Sequence, residues 1–204
     1  MTKIYLIRHG ESQANYDNKN NHAYFSGQLD SPLTAKGINS EKKLRDYFNN
    51  IEMNIIYSSD SIRARETCKH GFSSDTPLII SKLLRERSLG DFEGKRIEDV
   101  KKDQRYIKFF NDSNFTEFRH SFHQKAPFGE NYLDVYKRIQ IFFNQIFLNE
   151  NHSSVIIAHQ TTIRCCLLYL REISKEEVFN LRIPNCEPIV VDIKKGVIYE
   201  RCIE

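Results

Sequence analysis

Three short apolar runs divide the chain: Ile4-Tyr5-Leu6-Ile7, Ile55-Ile56-Tyr57 and Val155-Ile156-Ile157-Ala158. They are β-branched or aromatic and do not alternate with polar residues, as expected of strands buried on both faces of a parallel sheet. Apolar positions at helical spacing lie between them. Residues Thr34 to Asn49 carry Leu44, Tyr47 and Phe48 on one predicted side, and residues Tyr132 to Leu148 repeat Leu133, Tyr136, Ile139, Phe143 and Ile146. Residues Thr161 to Leu170 form a third predicted helix. Strand–helix alternation of this kind implies an α/β fold. The tail reads as a hairpin, Ile189 to Ile193 and Val197 to Cys202 around a Lys194-Lys195-Gly196 turn. Residues Lys101 to Lys125 are charged and aromatic without clean periodicity, and are predicted to be an inserted, mostly helical cap.

Composition narrows the class. The chain has 204 residues with 40% hydrophobic content, which suits one domain with a sizeable core, and no repeat or Pro/Gly/Ser linker divides it. Charged residues make up 28% but the net charge is only +3, far less basic than nucleic-acid binders usually are. Cys68, Cys165, Cys166, Cys186 and Cys202 are odd in number and lack C-x-x-C spacing. That argues against a disulfide framework or a zinc site and for reduced thiols in a cytoplasmic protein. Ile4 to Ile7 is too short for a signal peptide, and no later run is long enough to span a membrane.

Each predicted buried strand ends in chemistry. The first runs into Arg8-His9-Gly10-Glu11-Ser12, the second into Ser58-Ser59-Asp60 and then Arg63, and the third ends at His159. Ligands of open parallel sheets bind beyond the carboxyl ends of the strands, so these residues are expected to converge. Arginine pairs with phosphate through its planar fork, and histidine serves as nucleophile or oxyanion donor. One histidine after a strand is usually structural; coincidence at three strand ends is harder to dismiss. A metal held by His9, His159 and a carboxylate is the rival, but Arg8 and Arg63 would repel a cation.

At this point the residues resemble the histidine phosphatase superfamily, the phosphoglycerate-mutase-like family, over nearly the whole chain. Arg8-His9-Gly10-Glu11-Ser12 with Asn15 is similar to its signature. Gly27-Gln28-Leu29-Asp30-Ser31-Pro32-Leu33-Thr34 with Gly37, Ser58 to Ala64 with Thr67, and Leu84-Arg85-Glu86 with Gly90, Glu93 and Gly94 match its following blocks. Gly129-Glu130 before a helix and His159 after a strand complete the order. The resemblance implies a phosphoglycerate-mutase-like three-layer sandwich: a mostly parallel central sheet, helices on both faces and a small helical cap. Residues 1–204 are then one domain, with the cap at approximately 95–128. It also implies that neutral His9 attacks phosphorus to give a phosphohistidine that water hydrolyses. Arg8, Arg63 and His159 would surround the phosphoryl oxygens, Asn15 would add a neutral donor, and Glu86 would donate the proton to the leaving oxygen and later activate water. Gln28 belongs to the same phosphate-binding set. Glu11 and Glu130 are expected to brace neighbours, and Lys101, Lys102, Arg105 and Lys108 to form a solvated face. No metal and no cofactor is called for, so activity is expected to survive EDTA.

Two departures shape the expected specificity. Many members have Gly where Gln160 follows His159. The stretch His159 to Leu168 is instead similar to fructose-2,6-bisphosphatases, which makes Gln160 and Arg164 candidate substrate-binding residues, although Pro127-Phe128-Gly129 lacks that family's basic residue. Cofactor-dependent mutases carry a tyrosine where this chain has Leu89, a lysine near Ile97 and an adjacent Arg-Arg pair, absent here. An acidic product would then be held poorly and hydrolysis favoured. The expectation is therefore a phosphatase acting on a small phosphorylated metabolite, with a mutase and a non-catalytic binding module as alternatives. Its partner is a small-molecule phosphate ester, with neither nucleic acid nor membrane; a homodimer stays open.

Overall fold

The computed structural model describes residues 2–20, 22–113, 118–146 and 153–193. Strand β1 (Thr2–Arg8) lies second from one edge of a five-stranded sheet, and β4 (Ser153–Ala158) pairs parallel to it at the centre. Beyond β4 run β2 (Ile55–Ser58) and β3 (Leu78–Ile80), both parallel, while β5 (Ile189–Ile193) closes the other edge antiparallel to β1.

The alternation of side chains along β1 divides the core. Ile4 and Leu6 point into one cluster, with Ile156 of β4, under α6 (Tyr132–Gln145) and α7 (Gln160–Tyr169). Tyr5 and Ile7 point into the other, with Val155 and Ile157, under α2 (Ala35–Phe48) and α3 (Ile62–Gly71). Because successive side chains face opposite sides, every residue of these central strands is used, which is why the sequence shows apolar runs. Each fully buried aliphatic or aromatic side chain contributes about 1.5–3 kcal/mol. The three layers are those expected from the sequence.

Helix ends are set locally. Thr34 caps α2 by accepting the Gly37 N–H at 3.0 Å, and Asn131 with Asp134 forms a capping box at the start of α6. On α2 the buried stripe runs Gly37, Glu41, Leu44 and Phe48. Tyr47 was expected on that side but is 45% exposed, since three-residue spacing from Leu44 carries it to the stripe's edge. Strand β3 was not anticipated: it has only three residues, all exposed at the sheet edge. Ile189 to Ile193 is a strand as expected, and its described partner is β1; the turn and return strand predicted after it lie outside the described residues.

The segment expected as a cap contains helices α4 (Ile97–Lys102) and α5 (Ile107–Phe110) and a 3-10 turn at Phe118–His120. Aromatic residues of this stretch pack against one another. Phe92, Tyr106 and Phe118 join Phe25, Leu89 and Val100 in a separate apolar cluster that holds short pieces together. Lys101, Lys102, Arg105 and Lys108 are all exposed. Among the described residues, no helix is long and apolar enough to cross a membrane.

Candidate active site

Strands β1 and β4 run parallel and side by side, so the residues just past their carboxyl ends, His9 and His159, emerge together. The His9 N–H extends the ladder to the Ala158 carbonyl at 3.1 Å, and the two imidazole centroids lie 5.0 Å apart. His159 is also the N-terminal cap position of α7. Both rings are buried, at 3% and 0% exposure.

Hydrogen bonds assign the tautomers. His9 Nδ1–H donates to the Gly10 carbonyl at 2.7 Å, leaving Nε2 unprotonated. Arg63, at the start of α3, donates its Nε–H to His9 Nε2 and to His159 Nδ1, each at 3.2 Å. His159 Nδ1 is therefore an acceptor, and its Nε2–H faces the hydroxyls of Ser59 at 3.0 Å and Ser61 at 3.3 Å. Burial first, then the charges of Arg63 and Arg8, hold the His9 imidazole well below the usual histidine range, with the Gly10 bond pulling the other way. Burial and then Arg63 do the same to His159. Both rings are thus held neutral.

The arginines are fixed from behind. Arg63 Nη1 and Nη2 donate to the carbonyls of Leu29 (2.8 Å) and Gly27 (3.2 Å), so the block around Gln28 serves to orient Arg63. Arg8 Nη1 donates to Gln160 Oε1 and to the Ile183 carbonyl, both at 2.9 Å, while its buried Nε has no partner among the described residues. Asn185 Nδ2 donates to the His9 carbonyl at 2.6 Å and to Asn15 Oδ1 at 3.4 Å.

Glu86 is half-buried on the loop after β3. Its Oε1 accepts the Arg87 N–H at 2.6 Å and its Oε2 accepts the Thr161 N–H in the first turn of α7 at 3.3 Å. The loop is braced by two other acids. Glu130 accepts the Ser88 N–H at 2.8 Å and Arg138 Nε–H at 2.9 Å; Glu93 accepts the Leu89 N–H at 2.7 Å. Gly90 makes this approach possible: its φ is +51° and a Cβ there would collide with the Pro127 carbonyl. Glu11 is also a brace. Its burial favours the neutral acid, but Lys19 at 3.0 Å, Lys36 and Thr34 outweigh this and lower its pKa.

A cleft of about 550 Å³ opens beside the ends of β1 and β4, with Arg8, Glu86, Asn15, Gln160 and Arg164 in its walls. His9 and His159 are buried next to Arg8 and Gln160 in the chain and do not themselves line it. The substrate-binding candidates occupy quieter positions than expected. Asn15 Oδ1 accepts the Ser12 N–H at 3.4 Å in the capping box of α1 (Gln13–Lys19), so its carbonyl end serves the helix. Gln28 supports the acidic loop by donating to the Glu86 carbonyl at 3.0 Å, and lines a recess of about 130 Å³ together with Arg63 and Glu86. Gln160 turns its oxygen to Arg8 rather than capping α7. Arg164 is buried and donates to the Leu181 carbonyl and the Tyr132 hydroxyl, each at 2.7 Å.

The missing Arg-Arg pair led to the expectation of a cleft that holds acidic products poorly. Arg87, Arg119, Arg164 and Arg182 nevertheless reach its walls from separate segments, with Lys19 also in the lining. Dispersed arginines converge in space without any adjacent pair to show it in the sequence. Ser59, Ser61 and Asn185 were likewise missed as supports of the two histidines. Among the described residues no group of histidine, cysteine and carboxylate side chains could hold a metal ion.

Paired neutral imidazoles at adjacent strand ends, bridged by a buried guanidinium close to an arginine-rich cleft, form a site suited to an anionic group. The chain belongs to the histidine phosphatase superfamily (branch 1), whose family model matches residues 4–201. It is 24% identical over 242 aligned positions to a 2,3-bisphosphoglycerate-dependent phosphoglycerate mutase of Methanosarcina acetivorans, covering 96% of this chain and 93% of that one. Its fold is similar to the α-ribazole phosphatase of Shigella flexneri, with a TM-score of 0.79, 23% identity and 95% and 91% of the two chains covered. It is also similar to the phosphoserine phosphatase of Entamoeba histolytica in complex with 3-phosphoglyceric acid, with a TM-score of 0.70, 25% identity and coverage of 93% and 90%. The protein is an enzyme of this superfamily, which contains both phosphatases and mutases.

Proposed function

We propose that the enzyme is a phosphomonoester hydrolase that works through a phosphohistidine at His9 on a small anionic metabolite. The observation that carries this reading is the tautomer of His9: Nδ1–H is tied to Gly10, and Nε2 faces the space shared with Arg63 and His159. A phosphoryl group entering that space takes the Arg63 Nε–H onto an equatorial oxygen and frees the Nε2 lone pair. The Nε2–P bond forms as the P–O ester bond breaks in line, and protonated Glu86 gives its proton to the leaving oxygen. Water then attacks phosphorus, the N–P bond breaks back to neutral His9, and Glu86 takes the water's proton. Arg8, Arg63 and His159 stabilise the charge on the phosphoryl oxygens. Asn15, Gln160 and Arg164 line the remainder of the cleft, where the arginines suit a carboxylate or second phosphate on the substrate.

A mutase is the second reading, and the four arginines favour it: a cleft that retains an acidic product can return phosphate to another oxygen. Phosphate release separates the readings. The protein is incubated with p-nitrophenyl phosphate, phosphoserine, and 3-phosphoglycerate with 2,3-bisphosphoglycerate. Release from the esters supports hydrolysis; isomerisation without release supports the mutase. Rapid quenching is expected to trap an acid-labile phosphoenzyme that His9→Ala protein does not form. Equal trapping on the variant would refute His9 as the nucleophile.

A further inference from the structure

Behind the nucleophile lies an acid that the chemistry above does not use. Glu41 of α2 is fully buried, and among the described residues neither of its carboxyl oxygens has a partner in full hydrogen-bond geometry, with the Thr67 hydroxyl the nearest donor. Its place is specific. The loop after β1 is seated on the face of α2 formed by Thr34, Gly37 and Glu41, positions that three- and four-residue spacing puts in one row. Gly37 lets the helix touch the Glu11 backbone, since a Cβ there would collide with the Glu11 carbonyl. One turn on, Glu41 lies directly against Gly10: a Cβ built on Gly10 would be 3.0 Å from Glu41 Oε1.

Gly10 is the residue on which the His9 tautomer depends. Its carbonyl accepts the His9 Nδ1–H at 2.7 Å, and its N–H donates to Thr67 Oγ1 at 2.9 Å. Thr67 in turn donates its hydroxyl proton to the Arg63 carbonyl at 2.8 Å, so that single proton is shared between the carbonyl and Glu41. The titratable groups facing Glu41 are Glu66 and Cys68 from α3 and Cys186 from the loop before β5. None of them carries a positive charge. Burial pushes the Glu41 carboxyl up to about 8, with Thr67 pulling down and Glu66 adding to the rise. The two thiols, each pushed up to about 11 by burial, ionise only at higher pH.

We propose that Glu41 is a positioning residue for His9: as a neutral acid it packs Gly10 in place, and its ionisation displaces the Gly10 peptide and the imidazole bound to it. The reasoning is electrostatic. Among the described residues a carboxylate formed in this buried pocket faces no cation and has only the shared Thr67 hydroxyl as a donor, so the surroundings must move to admit water or shift the loop. The loop is the part of the pocket that carries the nucleophile. Alkaline pH would then inactivate the enzyme without titrating a group that touches the substrate. This inference rests on His9 being the nucleophile, as in the hydrolase reading.

The test follows the His9 Nδ1 proton by NMR of ¹⁵N-histidine-labelled protein between pH 6 and 10 on the order of the range where a carboxyl raised by burial titrates, alongside phosphate release from p-nitrophenyl phosphate. The wild type is expected to lose the Nδ1–H···Gly10 signal around pH 8, the value burial gives Glu41. Its kcat should fall about tenfold per pH unit above that point while KM changes little. Glu41→Gln, which keeps the volume and cannot ionise, should retain the proton signal and lack the fall. An unchanged alkaline fall and an unchanged proton signal in Glu41→Gln would overturn the proposal. If that variant does not fold, difference infrared spectroscopy of the wild type reads the protonated carboxyl directly. A carboxyl that ionises without any change at His9, or that is ionised already at pH ~6 as an unperturbed glutamate would be, overturns the proposal equally. The NMR arm needs no turnover, so failure of the hydrolase reading would show separately, as absent phosphate release with the Glu41–His9 coupling intact.

Discussion

Replacing Arg63 with lysine separates the two tasks of that side chain. Arg63 uses Nε for both histidines and its two Nη groups for the carbonyls of Leu29 and Gly27. Lysine keeps the charge but has one nitrogen, on a shorter stem, to serve four acceptors separated across the fork. An ammonium between the histidines abandons both carbonyls. Hydrogen bonds from a charged donor contribute about 1.5–3 kcal/mol each, so two lost bonds cost roughly 3–6 kcal/mol before relaxation. A protein of this size loses about 2–4 °C in Tm per kcal/mol, so the melting temperature should fall by about 10 °C. Losing one aligned oxyanion donor typically lowers kcat by ~10²–10³. Thermal unfolding and steady-state kinetics with p-nitrophenyl phosphate on one preparation read both effects. A Tm within about 2 °C of wild type would show that the two carbonyl bonds contribute little, on the same scaling. Activity within about threefold, well short of the loss expected for an oxyanion donor, would remove Arg63 from the phosphate.

Other outcomes follow from the same geometry. Glu86→Gln should slow hydrolysis of an alkyl phosphate by ~10²–10⁴ and of p-nitrophenyl phosphate much less, because only the poor leaving group needs a proton; equal losses would assign Glu86 to positioning. Gln160→Gly removes the acceptor that anchors Arg8, so kcat/KM should fall on every phosphate ester by about 1–3 kcal/mol; a loss confined to one metabolite would mean direct substrate contact instead. Gly37→Ala forces a Cβ into the Glu11 carbonyl and should cost about 1–3 kcal/mol in urea unfolding, with activity reduced as well; a neutral result would show that α2 can shift freely. Because burial, Arg63 and Arg8 lower the His9 pKa, the neutral nucleophile persists as pH falls, and the acid limb of kcat/KM should lie below the ~6.5 of an ordinary histidine. An acid limb above that value would contradict the buried, cation-flanked setting.

The sequence made the central sheet readable because β1 and β4 are buried on both faces, and such strands cannot avoid apolar runs. Strand β3 gave no such signal: Leu78, Ile79 and Ile80 pair on one side only and stay exposed. The chemistry at the strand ends was readable for a topological reason, since parallel neighbours deliver their last residues to one place. That brought His9, Arg8, Arg63 and His159 together on paper. The backbone carbonyls of Gly27, Leu29 and Gly10 were not readable, because a carbonyl has no residue type to betray it. Asn185 and Arg182 come from a loop with no local pattern. Glu41 was hidden for the opposite reason: an acid on a helix that also carries Lys36, Lys42, Lys43 and Arg45 reads as a solvated position.

The bridge from Arg63 to both histidines also says how the enzyme behaves while idle. The His9 lone pair is occupied by an N–H and the ring is 3% exposed. Small acylating or alkylating agents that modify open histidines meet a nitrogen that is both shielded and already engaged. Only a group able to outbid His9 for the guanidinium proton exposes the nucleophile, and an anionic oxygen is suited to that exchange. The resting protein should therefore resist diethyl pyrocarbonate at His9, with selectivity for phosphate beginning at the unmasking of the reactive atom.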